Sequence, residues 1–187
     1  MPIPIVHRKS AENVIATYDY IDIAEGTGTV QYYGIRGKTL SGSSLFYSII
    51  KGLTYFDGTE NGCITDDDGA TAMNMTSFNF PKIIKGNLYL TGTFVATSAG
   101  TVGFTIQKVS KGIVTNLANK DWIPTTAAVT RFLLKFEIPK TLFKVGDILR
   151  ILVEVVGCAA NEGLHINSES VLGYEPFKIY VPYKIDL

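Results

Sequence analysis

Apolar and polar residues alternate with a period of two along much of this chain. Between residues 101 and 109, Val102, Phe104 and Ile106 are separated by small or polar residues. Residues 177–185 alternate in the same way, beginning at Phe177. Because successive side chains of a strand point to opposite faces, this pattern predicts half-buried β-strands. No long segment carries apolar residues at the spacing i, i+3, i+4 and i+7 that an amphipathic helix needs.

The alternating runs are rich in Tyr, Phe, Val, Ile and Thr, which favours strands. We predict strands at residues 13–23, 28–35, 44–50, 75–80, 87–97, 101–109, 130–138, 147–156, 163–167 and 177–184. The sequence TSAG at residues 97–100 predicts a tight hairpin between two of them. Parallel sheets would need helical crossovers, for which the chain has little material. We therefore expect an all-β fold, an antiparallel β-sandwich of the jelly-roll type with about eight to ten strands.

The length of 187 residues suits a single domain with a sizeable core. We expect residues 13–187 to form this one β-sandwich. Residues 1–12 contain two prolines and several charges, so they predict an extended N-terminal arm. Residues 56–72 are rich in Asp, Gly, Thr and Asn and predict a long surface loop.

One phrase occurs twice, as FNFPKIIKGNLYLTGTF at residues 78–94 and as FEIPKTLFKVGDILRILVEV at residues 136–155. Proline donates no backbone hydrogen bond, so each copy predicts a strand that ends at Pro81 or Pro139. A tight turn at Lys-Gly or Lys-Val-Gly-Asp would then lead into the next strand. Two such corners would carry the chain between the sheets of a sandwich, as paired Greek keys do. Coincidence of common turn residues is the alternative.

Composition and charge exclude several classes of protein. The hydrophobic fraction is 46% and the charged fraction 18%, which is typical of a folded chain and not of a disordered one. The 17 basic and 17 acidic residues give no net charge, which argues against a nucleic-acid partner. The first residues, MPIPIV, resemble no secretory signal, and we find no apolar stretch long enough to span a membrane. We therefore expect synthesis in a cell interior.

Residues with catalytic chemistry are few. His165 is one of two histidines and has Glu162 and Ser168 nearby. A Ser-His-Glu arrangement is conceivable, but residues this close on a strand point in fixed directions, and no nucleophile elbow surrounds any serine. We read His165 as a strand histidine with an ordinary hydrogen bond. We expect no catalytic residue, no cofactor and no enzyme activity.

The acidic run TDDDGA brings three carboxylates together, and Asp66 and Asp68 could serve as calcium ligands. The EF-hand spacing is absent, so a solvated turn is the favoured interpretation and no metal is expected. Cys63 and Cys158 are the only cysteines. We favour free buried thiols over a disulfide, because a chain of this size needs no covalent scaffold.

Aromatic residues are abundant, with ten tyrosines, ten phenylalanines and one tryptophan. Carbohydrate-binding modules place rings flat on an exposed sheet face. Tyrosines also mark subunit interfaces, where they supply contact area at low entropic cost. The sequence favours core and interface roles for these rings over sugar binding.

The N-terminal third, KSAENVIATYDYIDIAEGTGTVQYYG, resembles the opening of structural proteins of tailed bacteriophages. The shared phrase maps onto Lys9, Ser10, Glu12, Ile15, Tyr18, Asp19, Tyr20, Ile23, Gly26, Thr27 and Gly28. The phrase at residues 78–94 looks like a second motif of such proteins. The resemblance implies a virion component, and it carries no catalytic residues to transfer.

We therefore expect a non-enzymatic phage virion protein, made in the host cytoplasm, that decorates the assembled capsid. Its partners would be the major capsid protein or other virion proteins, and it would form a homotrimer. The predicted capsid-binding arm consists of Pro2, Ile3, Pro4, Ile5, Val6, His7, Arg8 and Lys9. The alternative is a carbohydrate-binding host-attachment module on a fibre or tail.

Overall fold

The computed structural model describes residues 29–39, 45–52, 55–57, 63–65, 70–95, 100–124, 129–157, 163–165 and 175–184. Within these ranges the chain forms twelve strands and no helix. Their bounds are β1 Thr29–Thr39, β2 Leu45–Lys51, β3 Tyr55–Asp57, β4 Cys63–Thr65, β5 Thr71–Met75, β6 Lys82–Val95, β7 Thr101–Ser110, β8 Ile113–Trp122, β9 Thr130–Phe143, β10 Ile148–Val156, β11 Gly163–His165 and β12 Lys178–Lys184. The predicted arm at residues 1–12 and the predicted strand at residues 13–23 lie outside the described residues.

All twelve strands belong to one curled sheet. Its order is β4-β11-β6-β12-β1-β2-β5-β10-β7-β8, with β9 on the other edge of β6 and β3 beside β1. Every pair is antiparallel except two short parallel pairs, β1 with β3 and β2 with β5. The sheet curls until β8 contacts β9, so that two layers face each other across the core. The prediction of an all-β, sandwich-like fold is confirmed.

The core lies on the concave face of this sheet, where the alternating apolar residues meet. Phe104 and Phe177 are almost completely buried, as the period-two pattern predicts. The contact between β8 and β9 is aromatic: the ring centroid of Trp122 lies 5.0 Å from that of Phe132 and 5.7 Å from that of Phe94. Each such ring pair contributes about 0.5–1.5 kcal/mol beyond the area it buries. These rings therefore close the sheet.

Four strands lie within one residue of the predicted bounds, namely β2, β7, β10 and β12. The predicted strand at residues 75–80 is wrong, because β5 ends where that prediction begins. The predicted loop at residues 56–72 is wrong in part, because β4 lies within it and pairs with β11, and β3 overlaps its start. The hairpin predicted at residues 97–100 would require β6 to pair with β7. Both edges of β6 are instead occupied by β9 on one side and by β12 and β11 on the other.

Strand β8 was missed because none of its ten residues is fully buried, so no alternation marks it. It is the edge strand next to β7. A two-residue turn joins the two strands, with positive φ at Lys111 (49°) and Gly112 (82°). Two successive positive φ values match the right-handed twist of a hairpin, and glycine adopts the second without strain.

The repeated phrase builds a pairing and not two corners. Lys82, at the start of β6, pairs with Phe143, and the linkers of the two copies therefore lie side by side. Pro139 does not end a strand: β9 continues to Phe143, and the register shifts at this point. Pro139 and Lys140 lie opposite the single residue Lys85, and this arrangement is a β-bulge. Proline has no backbone N–H to donate, and in the bulge it interrupts no hydrogen bond of the ladder. Only the second copy has the predicted tight turn, between β9 and β10, where the Asp147 N–H donates to the Lys144 carbonyl at 3.0 Å.

The aromatic cluster makes a prediction for Gly92, which lies in the middle of β6. A Cβ atom at this position would lie 3.0 Å from Phe132 and 3.2 Å from Phe177. Both rings are packed on all sides, so Gly92→Ala should lower the free energy of unfolding by about 1–3 kcal/mol. Urea denaturation measures this change. The matched control is Gly103→Ala in β7, whose Cβ would meet only side-chain and backbone atoms at 3.4 Å or more. Equal effects of the two substitutions would contradict the packing argument.

Candidate functional site

Most residues singled out in the sequence lie outside the described part of the chain. This holds for the whole predicted arm, for Asp66 and Asp68, and for Cys158. Cys63 and His165 belong to β4 and β11, whose backbone register places them opposite each other. Among the described residues no group of three or more His, Cys, Asp or Glu could hold a metal ion. No helix in the described ranges is long and apolar enough to cross a membrane.

A cavity of about 300 Å³ opens at one end of the curled sheet. Its walls come from β1, the end of β2, the end of β5, the segment at residues 76–80 and the first residue of β6. Apolar side chains form much of the surface, including Ile49, Met75, Phe78 and Phe80. A cavity of this volume lies at the lower end of the range of about 300–1,000 Å³ for small-molecule sites.

Two tyrosines form a satisfied polar network beside the cavity. The Tyr33 hydroxyl donates to Gln31 Oε1 at 2.8 Å and lies 2.8 Å from the Tyr183 hydroxyl. The Tyr183 hydroxyl also lies 3.9 Å from Met75 Sδ. Both tyrosines are buried, and buried phenols need such partners. The network fixes the rings against which the charged groups of the cavity rest.

Two lysine ammonium groups line the same cavity, and sequence analysis missed both. Lys51 lies directly opposite Tyr33 in the β1–β2 register, so it continues the core-facing row of Tyr47 and Ile49. Lys82 lies opposite Phe143 on the core-facing side of β6, with Nζ 4.6 Å from the Tyr183 ring centroid. A lysine in phase with a buried apolar row is the sequence signal that would have found Lys51.

Burial lowers the pKa of the Lys82 ammonium below its ordinary value, and the nearby positive charge of Lys51 lowers it further. Lys82 Nζ also lies 5.6 Å from the Phe80 ring centroid. Cation–π contacts of this kind attract the ammonium but do not neutralise it. Among the described residues neither Lys51 nor Lys82 has a carboxylate partner.

The turn between β9 and β10 holds the cavity wall in place. The Phe78 N–H donates to the Asp147 carbonyl at 3.0 Å, and the Gly146 N–H donates to the Phe78 carbonyl at 2.9 Å. The Asp147 carboxylate accepts from the Lys144 N–H at 2.8 Å and pairs with Lys108 Nζ at 2.9 Å. This carboxylate therefore fixes the turn to which the Phe78 backbone is hydrogen-bonded.

Burial alone would raise the pKa of the Asp147 carboxyl. Hydrogen bonds from the Ser110 hydroxyl and the Lys144 N–H, together with the hydrogen bond and charge of Lys108, outweigh that effect and lower the pKa to about 2. The ionised carboxylate is thus the form that the folded chain stabilises.

Large apolar side chains remain exposed around this end of the molecule. The exposed fractions are 62% for Phe80, 71% for Ile113, 44% for Val114, 46% for Leu142 and 64% for Val145. We call these five residues the apolar rim. Such groups mark interaction surfaces when they cluster.

Backbone contacts bring the members of the apolar rim to one end. Val114 pairs with Val109, and Val109 pairs with Ile148, which follows the turn that contains Val145. Lys108 Nζ donates to the Leu142 carbonyl. Phe80 is two residues from Phe78, which hydrogen-bonds to the same turn. The turns of two hairpins and the entry to β6 therefore share this end with the cavity.

No protein-family profile matches the chain, and no curated protein sequence matches it. The fold is similar to that of an α-amino acid ester hydrolase, with a TM-score of 0.51 and 7% identity over 82% of this chain and 34% of that one. A CocE/NonD family hydrolase from Staphylococcus aureus gives a TM-score of 0.49 and 11% identity over 82% of this chain and 36% of that one. The chain thus spans about a third of the length of each. The likeness to the ester hydrolase shows a shared fold and nothing of activity.

The Asp147 network makes a prediction about acid stability. Because its folded-state pKa of about 2 lies below the ordinary 3.8, its contribution is full above about pH 4 and is lost as the pH falls through 2. Asp147→Asn should lower the free energy of unfolding by about 1–3 kcal/mol at pH 7. The difference from wild type should shrink between pH 4 and pH 2, as measured by urea denaturation.

The matched control for this carboxylate is Asp121→Asn, at an exposed position on β8. It should change the free energy of unfolding by no more than about 0.5 kcal/mol. A constant Asp147→Asn difference across the acid range would contradict the assignment of the lowered pKa to this carboxylate.

Lys82 makes the opposite kind of prediction, because its pKa is lowered and its charge is a cost to folding. Solvent still reaches and screens this ammonium, so Lys82→Met should raise the free energy of unfolding by at most about 1 kcal/mol at pH 7. The unfolded chain keeps this proton to a higher pH than the folded chain does. The free energy of unfolding of the wild-type protein therefore rises as the pH passes through the lowered pKa of Lys82. The advantage of the variant should therefore shrink towards pH 10, while the exposed control Lys85→Met should leave stability nearly unchanged. A destabilised Lys82→Met variant would refute this account.

Proposed function

We propose that this chain is a non-enzymatic structural protein of a tailed-phage virion, a decoration protein that binds the assembled capsid. The observation that carries the proposal is the apolar rim. Five large apolar side chains stand exposed around one end of the molecule, and the segment at Phe78 is hydrogen-bonded to the β9–β10 turn that carries Val145. A rigid apolar surface of this kind suits adhesion to another protein, because its burial costs little ordering entropy.

The N-terminal sequence supports the same proposal. Lys9 to Gly28 carry the phrase that resembles tailed-phage structural proteins. In this proposal residues 2–9 bind the neighbouring capsid subunit as an extended strap, and three copies form a homotrimer. The major capsid protein is the partner, and the assembled virion is the location. Binding to the assembled shell and not to free subunits would stabilise the shell by mass action.

The likeness to hydrolases does not change this proposal. The chain corresponds to about a third of the ester hydrolase, and the likeness rests on 7% identity. A shared fold carries no chemistry unless the reacting groups are shared as well. We therefore propose binding, and no bond-making or bond-breaking step.

A second candidate function is a carbohydrate-binding module that attaches a fibre or tail to the host. The cavity favours it, because its lining includes Phe78 and Phe80 together with the polar residues Ser77 and Asn79. Aromatic walls with a few polar groups are typical of small-ligand sites.

Co-sedimentation with empty capsids tests the lead proposal. The double variant Leu142→Lys, Val145→Lys places two charges on the apolar rim, and we expect capsid affinity to fall about tenfold or more, since 1.4 kcal/mol corresponds to a factor of ten. Deletion of residues 2–12 should have an effect at least as large if the arm is a strap. The matched control is Leu133→Lys on β9 outside the rim, where the leucine is 66% exposed against 46% for Leu142, and it should bind as wild type.

Three results would contradict the proposal. The first is that the wild-type protein does not sediment with capsids. The second is that the rim variant and the deletion both bind fully, and the third is that Leu133→Lys is as defective as the rim variant.

A further inference from the structure

We propose that the cavity at the open end of the sheet binds a carboxylate carried on a six-membered ring. Two sources share this chemistry, a uronic acid unit of a polysaccharide and a small aromatic acid. The proposal goes beyond capsid binding and does not depend on it. The anion subsite is formed by Lys51 and Lys82, which are not part of the apolar rim, and Phe80 is the one residue that the cavity and the rim share.

The positive charge of the cavity favours an anionic ligand. Lys51 and Lys82 are the two cations of the cavity, and neither has a carboxylate partner among the described residues. The charge of Lys51 repels the partly buried ammonium of Lys82, and an apolar residue at position 82 would avoid this repulsion. An anion bound between the two ammonium groups would remove that repulsion and gain charge-assisted hydrogen bonds.

The Lys82 ammonium lies beside two aromatic rings, and this position favours a ligand that contains a ring. Lys82 Nζ lies 4.6 Å from the Tyr183 ring centroid and 5.6 Å from the Phe80 ring centroid. A carboxylate on this ammonium would bring the body of its ligand against Phe80, whose ring is 62% exposed. An exposed ring beside a cation suits a flat or ring-shaped body better than a flexible chain.

The volume of the cavity and its polar lining residues favour a small ligand with one ring. About 300 Å³ is at the lower limit for small-molecule sites, so the cavity suits a single ring. Thr76, Ser77 and Asn79 line it as well and supply hydroxyl and amide groups for directional hydrogen bonds. Ile49 and Met75 contribute apolar walls. The site therefore combines one anion subsite with one ring subsite.

The rigidity of the wall supports this assignment. Phe78 is held by two backbone hydrogen bonds to the β9–β10 turn, and Tyr33 and Tyr183 are held by each other. A site fixed before its ligand arrives loses less entropy on binding than one that must be ordered.

Titration calorimetry on the full-length protein tests the proposal with four probes: glucuronate, glucose, benzoate and inorganic phosphate. We expect saturable binding of glucuronate, of benzoate or of both, and none of glucose, which has the ring but no carboxylate. Lys82→Met and Lys51→Met should each weaken that binding about tenfold or more. Lys85→Met, on the same strand as Lys82 but exposed, should bind as wild type.

The source is read from the two carboxylates: glucuronate alone indicates an acidic sugar, and benzoate alone an aromatic acid. The proposal is overturned if neither binds, if phosphate binds and the carboxylates do not, or if binding survives both lysine substitutions. Lys51 is exposed at the end of β2, so Lys51→Met keeps the test decisive if Lys82→Met perturbs folding. Both variants should still sediment with capsids, which separates a failure here from a failure of the capsid proposal.

Discussion

The structure depends on closure of the curled sheet where β8 meets β9. Alternation gives each strand one apolar face, but that face is buried only if another layer covers it. Trp122 supplies the closing contact, with its ring 5.0 Å from Phe132 and 5.7 Å from Phe94. This joins the edge strand β8 to the strand at the opposite end of the sheet.

Contact between β8 and β9 closes the side of the curled sheet, and turns between strands lie at its two ends. At one end the Asp147 carboxylate holds the β9–β10 turn, and this turn holds Phe78 through two backbone hydrogen bonds. The carboxylate can do so because Lys108 and the Lys144 N–H compensate its burial. One buried charge thus positions both a wall of the cavity and the base of the apolar rim. The cavity and the apolar rim therefore rest on the same turn, and Phe80 belongs to both.

The sequence predicts those parts of the fold that depend on alternation within one strand. Strands β7, β10 and β12 are predictable from the sequence, because Phe104, Ile151 and Ile179 each belong to a row of alternate residues that are buried. Strand β8 is not, because only Leu117, Ala118 and Trp122 pack against the core, and each of them is only partly buried. The role of Pro139 was also unreadable: whether a proline ends a strand or lies in a bulge depends on the partner strand, here the other copy of the repeated phrase. Pairings between distant strands, such as β6 with β9, follow from packing of the whole chain and not from any local pattern.

The cavity shows where a departure from the pattern carries information. Tyr47, Ile49 and Lys51 occupy successive core-facing positions of β2, and only the last is charged. Lys51 is exposed at the end of this row, whereas Lys82 is partly buried, and an unpaired ammonium lowers stability when it is partly desolvated. Lys82, the first residue of β6, is the second charged residue of the cavity, and its pKa is lowered by burial and by Lys51. Because sequences break their own local rules chiefly at functional sites, these two lysines are the feature of the cavity on which our proposal of an anion site rests.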